Sequence, residues 1–113
     1  MKTRTEFDSM GAVEVPAEHH WGAQTQRSLE NFKIGTQKQP IAVIHAFAHL
    51  KAACAMANME HGRLTPEQAE TICAVCSQIA AGRWDSEFPL AVWQTGSGTQ
   101  TNMNVNEIGR AHV

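Results

Sequence analysis

The longest apolar pattern in the chain runs from Pro40 to about Glu60 and predicts the longest helix. Apolar residues recur there every three or four positions, the spacing of one helix face. Alanines and Met56 extend the apolar character most of the way round, so this helix needs cover on several sides. The predicted stripe consists of Val43, Ile44, Phe47, Leu50, Cys54 and Ala57.

A second helix is predicted after Gly62, which ends the first. The run Thr65-Pro66-Glu67-Gln68 has an N-cap threonine, a proline at the first helical position and a capping-box glutamine. Gly82 supplies the stop signal. The apolar positions with helical spacing are Ala69, Ile72, Cys73, Cys76, Ile79 and Ala80.

The amino-terminal third predicts two smaller elements. Residues 4–16 alternate weakly and indicate a short β-hairpin with Val13 and Val15 on one face. Residues 21–32 predict an amphipathic helix. The expected fold class is therefore mainly α with a short β-hairpin near the start. A chain of 113 residues is at most one domain, 1–113.

The segment 93–107 is polar, rich in glycine, hydroxyl and amide residues, and it contributes little to a core. If residues 95–99 are extended, alternate side chains point the same way, so three hydroxyls share one side. The intervening glycines let a ligand approach the backbone closely. The hydroxyl residues are Thr95, Ser97 and Thr99, and the glycines are Gly96 and Gly98.

A helix is predicted to begin near Asn102, with Thr99 or Thr101 as its N-cap. Backbone N–H groups at a helix start favour an anion. The segment therefore indicates a neutral, donor-rich cradle for a small carboxylate or phosphate. The alternative is an ordinary polar loop that caps a helix.

Composition narrows the classes of function. The 9 basic and 11 acidic residues form no basic run, which argues against nucleic acid as a partner. Residues 1–6 lack the apolar region of an export signal, so none is expected. No apolar stretch is expected to reach the ~20 residues needed to span a membrane. Three cysteines without an export signal favour a reducing, cytoplasmic location.

Other candidate sites have simpler interpretations. The CxxC of Cys73 and Cys76 falls on an apolar helix stripe, where cysteine acts as a small hydrophobe. His45 and His49 are four residues apart and could share one helix face, but the further ligands of a metal site are lacking. The acidic residues, Glu107 among them, are scattered and interpreted as solvated charges. The residues alone predict a binding segment without a catalytic set and without a metal.

The segment Trp93–Glu107 closely resembles the signature of class II fumarate hydratases, in the fumarase/aspartase superfamily. The resemblance extends from about residue 4 to Ile108 and includes residues 8–17, residues 21–32, Ile44-His45-Ala46, Lys51 and Phe88-Pro89-Leu90. Aspartases, the alternative within the superfamily, typically differ around Gln24, Gln26 and Gln100. After Ile108 the pattern is lost, which suggests a truncated or shifted product of a fumarase reading frame.

The resemblance implies the reversible hydration of fumarate to malate in the tricarboxylic acid cycle, through an aci-carboxylate intermediate and without a cofactor. It places Ser97, Gly98 and Thr99 against a substrate carboxylate, with Asn102 supporting them from behind. It places the catalytic residues and the central helical bundle of the homotetramer outside this chain. We therefore expect an amino-terminal domain, with residues 94–113 as the substrate loop and next helix, that is inactive alone. A non-catalytic helical fragment is the other alternative.

Overall fold

The computed structural model describes residues 1–94 and 97–112, and within them the fold is mainly helical. An amino-terminal β-hairpin precedes the helices, as the sequence predicts. The strands are β1 (Thr3–Asp8) and β2 (Gly11–Pro16), and the helices are α1 (Ala23–Asn31), α2 (Ile41–Glu60), α3 (Pro66–Ala80) and α4 (Thr99–Arg110). Short 3-10 turns at Asp85–Glu87 and Val92–Gln94 connect α3 to α4.

The hairpin pairs β1 and β2 antiparallel, with Asp8 opposite Gly11 at the turn. Gly11 has a φ of 109°, a backbone conformation that side chains rarely adopt. Val15 is fully buried and Val13 is half-buried, so the prediction that they share the inward face is confirmed. The Arg4 guanidinium donates to the carbonyl oxygens of Pro16, His19 and Trp21, which fixes the hairpin to the connection before α1.

The predicted helix signals around α3 are confirmed. The Gln68 backbone N–H donates to the Thr65 hydroxyl at 3.1 Å, and the Thr65 N–H donates to the Gln68 side chain at 3.1 Å. These reciprocal bonds satisfy backbone groups that the first turn leaves without helical partners. Gly62 and Gly82 follow α2 and α3 with φ angles of 75° and 90°.

The apolar stripe predicted for α2 is only partly correct. Ile44 is buried and Phe47 half-buried, but the other four stripe residues, Val43, Leu50, Cys54 and Ala57, are exposed. The buried face instead combines Ile44 with Ala48 and Ala55. Small alanine side chains let the neighbouring helices approach α2 closely, so the larger residues lie on the uncovered side. Leu50 and Met56 are 56% and 52% exposed.

By length and composition, α2 is also apolar enough to cross a membrane. Its twenty residues contain an 18-residue window of mean hydropathy 1.3, of which 17% is buried. The expectation that no apolar stretch reaches this length is therefore wrong. In the fold, α2 packs against α3 and α4.

The last helix starts three residues earlier than predicted, at Thr99, and Gly98 is its N-cap residue. Thr99 and Thr101 are helical, so neither is the cap. Ser97 and Gly98 lie in a bend, and the extended conformation expected for residues 95–99 is wrong at 97–99. Thr95 and Gly96, the other residues of that prediction, lie outside the described residues.

The core forms where α4 meets the other elements. Ile108 is fully buried and Val105 nearly so, and both belong to a cluster that gathers residues from β2, α2 and α3. The other buried members are Val15, Trp21, Ile44, Ala48, Val75, Cys76, Ile79 and Phe88. Because α4 contributes to this cluster, its position is fixed by packing as well as by hydrogen bonds.

The carboxylate of Glu107, on α4, caps the amino terminus of α1. It accepts from the backbone N–H of Thr25 at 2.9 Å, from the Thr25 hydroxyl and from the backbone N–H of Gln24 at 3.3 Å. The negative charge of this carboxylate also interacts favourably with the positive end of the α1 helix dipole. Gly22, the N-cap residue of α1, has no capping side chain of its own. The interpretation of Glu107 as a solvated charge is therefore wrong.

We predict that Gly22→Ala destabilises the fold. A Cβ at this position would overlap Glu107 Oε2, so the carboxylate would have to leave the helix terminus. Loss of a helix cap costs about 1–2 kcal/mol. Urea unfolding followed by circular dichroism measures the change, and Glu107→Gln should weaken the same cap.

Gly109→Ala is the matched control for that substitution. A Cβ at Gly109, within α4, meets nothing within 4 Å. Alanine is a better helix former by about 1 kcal/mol, so this variant should be at least as stable as the parent chain. Equal losses of stability in the two variants would contradict the cap assignment.

Candidate functional site

The candidate binding residues lie at the amino-terminal end of α4. Ser97, Gly98 and Thr99 are all exposed. The Ser97 hydroxyl donates to the Thr99 hydroxyl at 3.0 Å, and the Asn102 backbone N–H donates to the Gly98 carbonyl at 3.1 Å. The structure thus brings the three residues together at a helix terminus, with half-buried Asn102 one turn behind them.

A buried hydrogen bond closes the base of this segment. Gln94 precedes the segment and Thr101 follows it, and both are buried. The Thr101 hydroxyl donates to Gln94 Oε1 at 3.3 Å, while Gln94 Nε2 donates to the Ala91 carbonyl at 2.9 Å. Thr101 lies inside α4, where its hydroxyl anchors Gln94 and does not cap the helix. Neither anchor is evident from the sequence, because neither belongs to a local capping pattern.

Two further contacts fix the orientation of α4 beneath the segment. The Ser28 hydroxyl of α1 donates to Gln100 Oε1. The amide of buried Asn104 donates from Nδ2 to the Glu87 carbonyl at 3.0 Å. These bonds connect the first turn of α4 to α1 and its second turn to Glu87. They therefore restrict the movement of the helix that carries the segment.

A cavity of about 260 Å³ lies between α1 and the first turns of α4. Thr99 and Gln100 line one wall, and α1 supplies Gln24, Arg27, Ser28 and Asn31 on the other. Met10, Phe32 and Met103 also line this cavity, so polar groups share its wall with a larger apolar surface. The Arg27 guanidinium is the cation of this wall.

The charge of Arg27 is compensated by Asp8. Arg27 Nε donates to Asp8 Oδ2 at 2.8 Å, and its Nη2 donates to the Gly11 carbonyl at 3.1 Å. The hydrogen bond from Arg27 lowers the pKa of Asp8 below its ordinary value, and the Met10 backbone N–H assists. The pair joins the hairpin turn to α1, so Asp8 is not the solvated charge that the sequence analysis assumed.

Glu87 is a buried carboxylate that the sequence analysis did not single out. It is 3% exposed, and it accepts from the His20 backbone N–H and pairs with His19 Nδ1 at 2.6 Å. His19 also stacks on Trp21, with ring centroids 4.1 Å apart. Glu87 therefore holds the connection before α1 against the turn that leads to α4.

The cysteines and helix histidines occupy separate places. Cys76 is buried, and burial raises the pKa of its thiol. Cys73 is half-buried, and its Sγ donates to the Ala52 carbonyl at 3.7 Å. His45 pairs with Asp85 at 2.9 Å, whereas His49 is exposed. Within residues 1–94 and 97–112, no three metal-ligating side chains form a cluster.

The groups of this segment can bind a ligand through hydrogen bonds. Hydroxyl and amide groups donate hydrogen bonds but do not change protonation near neutral pH. The start of α4 adds the positive end of a helix dipole. Such a surface suits an anion with several acceptor oxygens.

Comparison with known proteins identifies the family of the chain. A family model described as a lyase matches residues 11–110. The chain belongs to this lyase family. The resemblance to the amino-terminal portion of class II fumarate hydratases is confirmed, because the curated relatives that match bear that name.

Two of these relatives show the extent of the match. The class II fumarate hydratase of Thermosynechococcus vestitus is 62% identical over 106 residues, which are 94% of this lyase chain and 23% of the relative. That of Bacillus subtilis is 58% identical over 108 residues, 96% of this chain and 23% of the relative. The chain thus spans about a quarter of the length of its relatives.

Solved structures confirm the lyase fold. A class II fumarase from Schistosoma mansoni superposes with a TM-score of 0.94 at 43% identity, over 97% of this chain and 24% of that one. A fumarate lyase:delta crystallin from Brucella melitensis, bound to cobalt, gives 0.92 at 36% identity, over 97% and 25%. The expected fold class, a helical amino-terminal domain with a short β-hairpin, is confirmed.

We predict that the lyase chain loses the stabilisation from Asp8 in acid. Folding lowers the pKa of Asp8, so the ionised carboxylate stabilises the folded state at pH values above its pKa in the unfolded chain. This contribution is lost as the pH falls through the pKa of Asp8 in the folded chain. The stability difference between the parent chain and Asp8→Asn should be constant near neutral pH and shrink below about pH 4. Urea unfolding across that pH range measures it. A difference independent of pH would contradict the assignment.

Proposed function

We propose that this chain is the amino-terminal part of a class II fumarate hydratase of the tricarboxylic acid cycle, acting in the cytoplasm. In that reaction, water adds reversibly to fumarate to give malate. Ser97, Gly98 and Thr99 bind a substrate carboxylate, and Asn102 supports them from behind. The observation that carries the proposal is their exposure at the start of α4 above a buried hydrogen-bonded base.

The electrostatics of the segment support a carboxylate ligand. The hydroxyls of Ser97 and Thr99 lie 3.0 Å apart, so a carboxylate can accept from both after they reorient. The helix terminus offers further donors. A neutral segment binds the substrate anion without an ion pair, and donors aimed at a developing aci-carboxylate stabilise it more than the substrate.

The chain forms one domain in this proposal. Residues 1–93 are the scaffold, and residues 94–113 are the substrate segment with the helix that follows. The complete active site belongs to a homotetramer and needs groups from outside these residues. No metal or organic cofactor takes part. The substrate is a small dicarboxylate, and neither nucleic acid nor a membrane is a partner.

A non-catalytic role is the second candidate, and the uncovered side of α2 favours it. Val43 and Leu50 are exposed there. A helical fragment with such a surface would associate with other helices without binding substrate. The two candidates differ in what Ser97 and Thr99 do when fumarate is added.

We predict that fumarate and malate shift the backbone amide resonances of residues 97–101 in this chain. The double variant S97A/T99V removes both hydroxyl donors and should reduce the shifts, whereas T36V/S86A removes two exposed hydroxyls elsewhere and should not. NMR titration at fixed pH measures the effect. Dimethyl fumarate, which lacks the carboxylates, is the ligand control. Equal shifts in the two variants, or none at residues 97–101, would contradict carboxylate binding.

We also predict that the purified chain does not convert fumarate to malate. The segment contains hydroxyls and amides but no group with a pKa suited to proton transfer. Following the ultraviolet absorbance of fumarate measures turnover. A rate that scales with the concentration of the chain and disappears in S97A/T99V would refute the claim that the site is incomplete.

A further inference from the structure

A second cavity, open to solvent, lies toward the other end of α4 and is lined by α2, α3, α4 and the loop between α2 and α3. Its volume is about 320 Å³, at the lower end of the range for small-molecule sites. Its interior is formed mainly by aliphatic side chains, with Ile72 and Ile79 from α3, Val105 from α4, and Leu64 from the loop. Water gains little from contact with such walls, so an apolar occupant is favoured.

Cations line the same cavity. Lys51 of α2 and Arg110 of α4 belong to its wall, and no aspartate or glutamate does. Within the described residues, neither cation forms an ion pair, whereas Arg4 and Arg27 each have a carboxylate partner. The cavity therefore combines an apolar interior with uncompensated positive charge.

The amides of Asn58 and Asn106 also line this cavity. An amide donates hydrogen bonds to an anion and adds no charge. The exposed thiol of Cys54 lies on the wall, while the thiol of Cys76 is buried beneath it. Cys54 is therefore a natural reporter of occupancy, because a ligand in the cavity would cover it.

We propose that this cavity binds a medium-chain monocarboxylate, with the hydrocarbon chain against the aliphatic walls and the carboxylate between Lys51 and Arg110. A small dicarboxylate has no hydrocarbon chain to cover the aliphatic walls, so the walls favour a monocarboxylate with a longer chain. The site is separate from the segment at residues 97–99. Thr99 and Arg110 are at opposite ends of α4, about 16 Å apart along its axis.

Octanoate is the probe, and isothermal titration of the whole chain below the critical micelle concentration is the measurement. Saturable binding is expected, with much weaker binding of octanol and of octyltrimethylammonium. Octanoate should also slow the reaction of Cys54 with a thiol reagent, and fumarate should not. If octanol or the cationic amphiphile binds as tightly, or if no ligand binds saturably, the proposal is overturned.

Charge-matched variants test the roles of the two cations. K51M/R110M should weaken octanoate binding roughly tenfold, the effect of losing a charge-assisted hydrogen bond. K33M/R63M removes two exposed cations outside the cavity and should leave the affinity unchanged. Equal weakening in both variants would show a general charge effect and overturn the proposal. If K51M/R110M fails to fold, the ligand series and Cys54 protection in the parent chain decide the question.

Discussion

The fold depends on the carboxylate of Glu107 at the amino terminus of α1. It joins residues 82 positions apart and satisfies backbone donors that α1 leaves without partners. A half-buried charge needs such donors, and a helix terminus without a side-chain cap needs such an acceptor. Each therefore stabilises the other. Gly22 makes the contact possible, because any side chain there would meet the carboxylate.

This contact also determines where the candidate site lies. Helix α1 carries Arg27, which holds the hairpin through Asp8, and Ser28, which holds Gln100 at the start of α4. The segment at residues 97–99 is thus oriented by α1 as well as by its own helix. Binding residues held on rigid elements lose less conformational freedom when a ligand binds. An exposed segment can therefore still be preorganised.

Helix α4 serves two different surfaces from its two ends. Its amino-terminal end presents hydroxyls and a positive dipole to solvent, which suits a small anion. Its carboxyl-terminal end contributes Asn106 and Arg110 to an apolar cavity that Lys51 also lines. The middle of the helix is buried through Val105 and Ile108, so both surfaces share one support.

The sequence by itself determined the local structure and the family. The capping box at Thr65, the glycine stops and the hairpin depend on neighbouring residues, so local patterns predict them. The motif at residues 93–107 indicated the lyase family and the candidate binding residues. It did not predict the helix start, because the N-cap residue is Gly98, which has no side chain to signal a cap, and Thr101 lies inside the helix with its hydroxyl bonded to Gln94.

Only the tertiary structure decided which side of α2 is buried, and that Glu107 and Glu87 hold distant backbone. A helix apolar on most sides has several equivalent faces, and the close approach allowed by Ala48 and Ala55 selects one of them. The partners of a carboxylate far along the chain depend on how the helices pack. Such contacts arise from long-range packing, which no local spacing encodes.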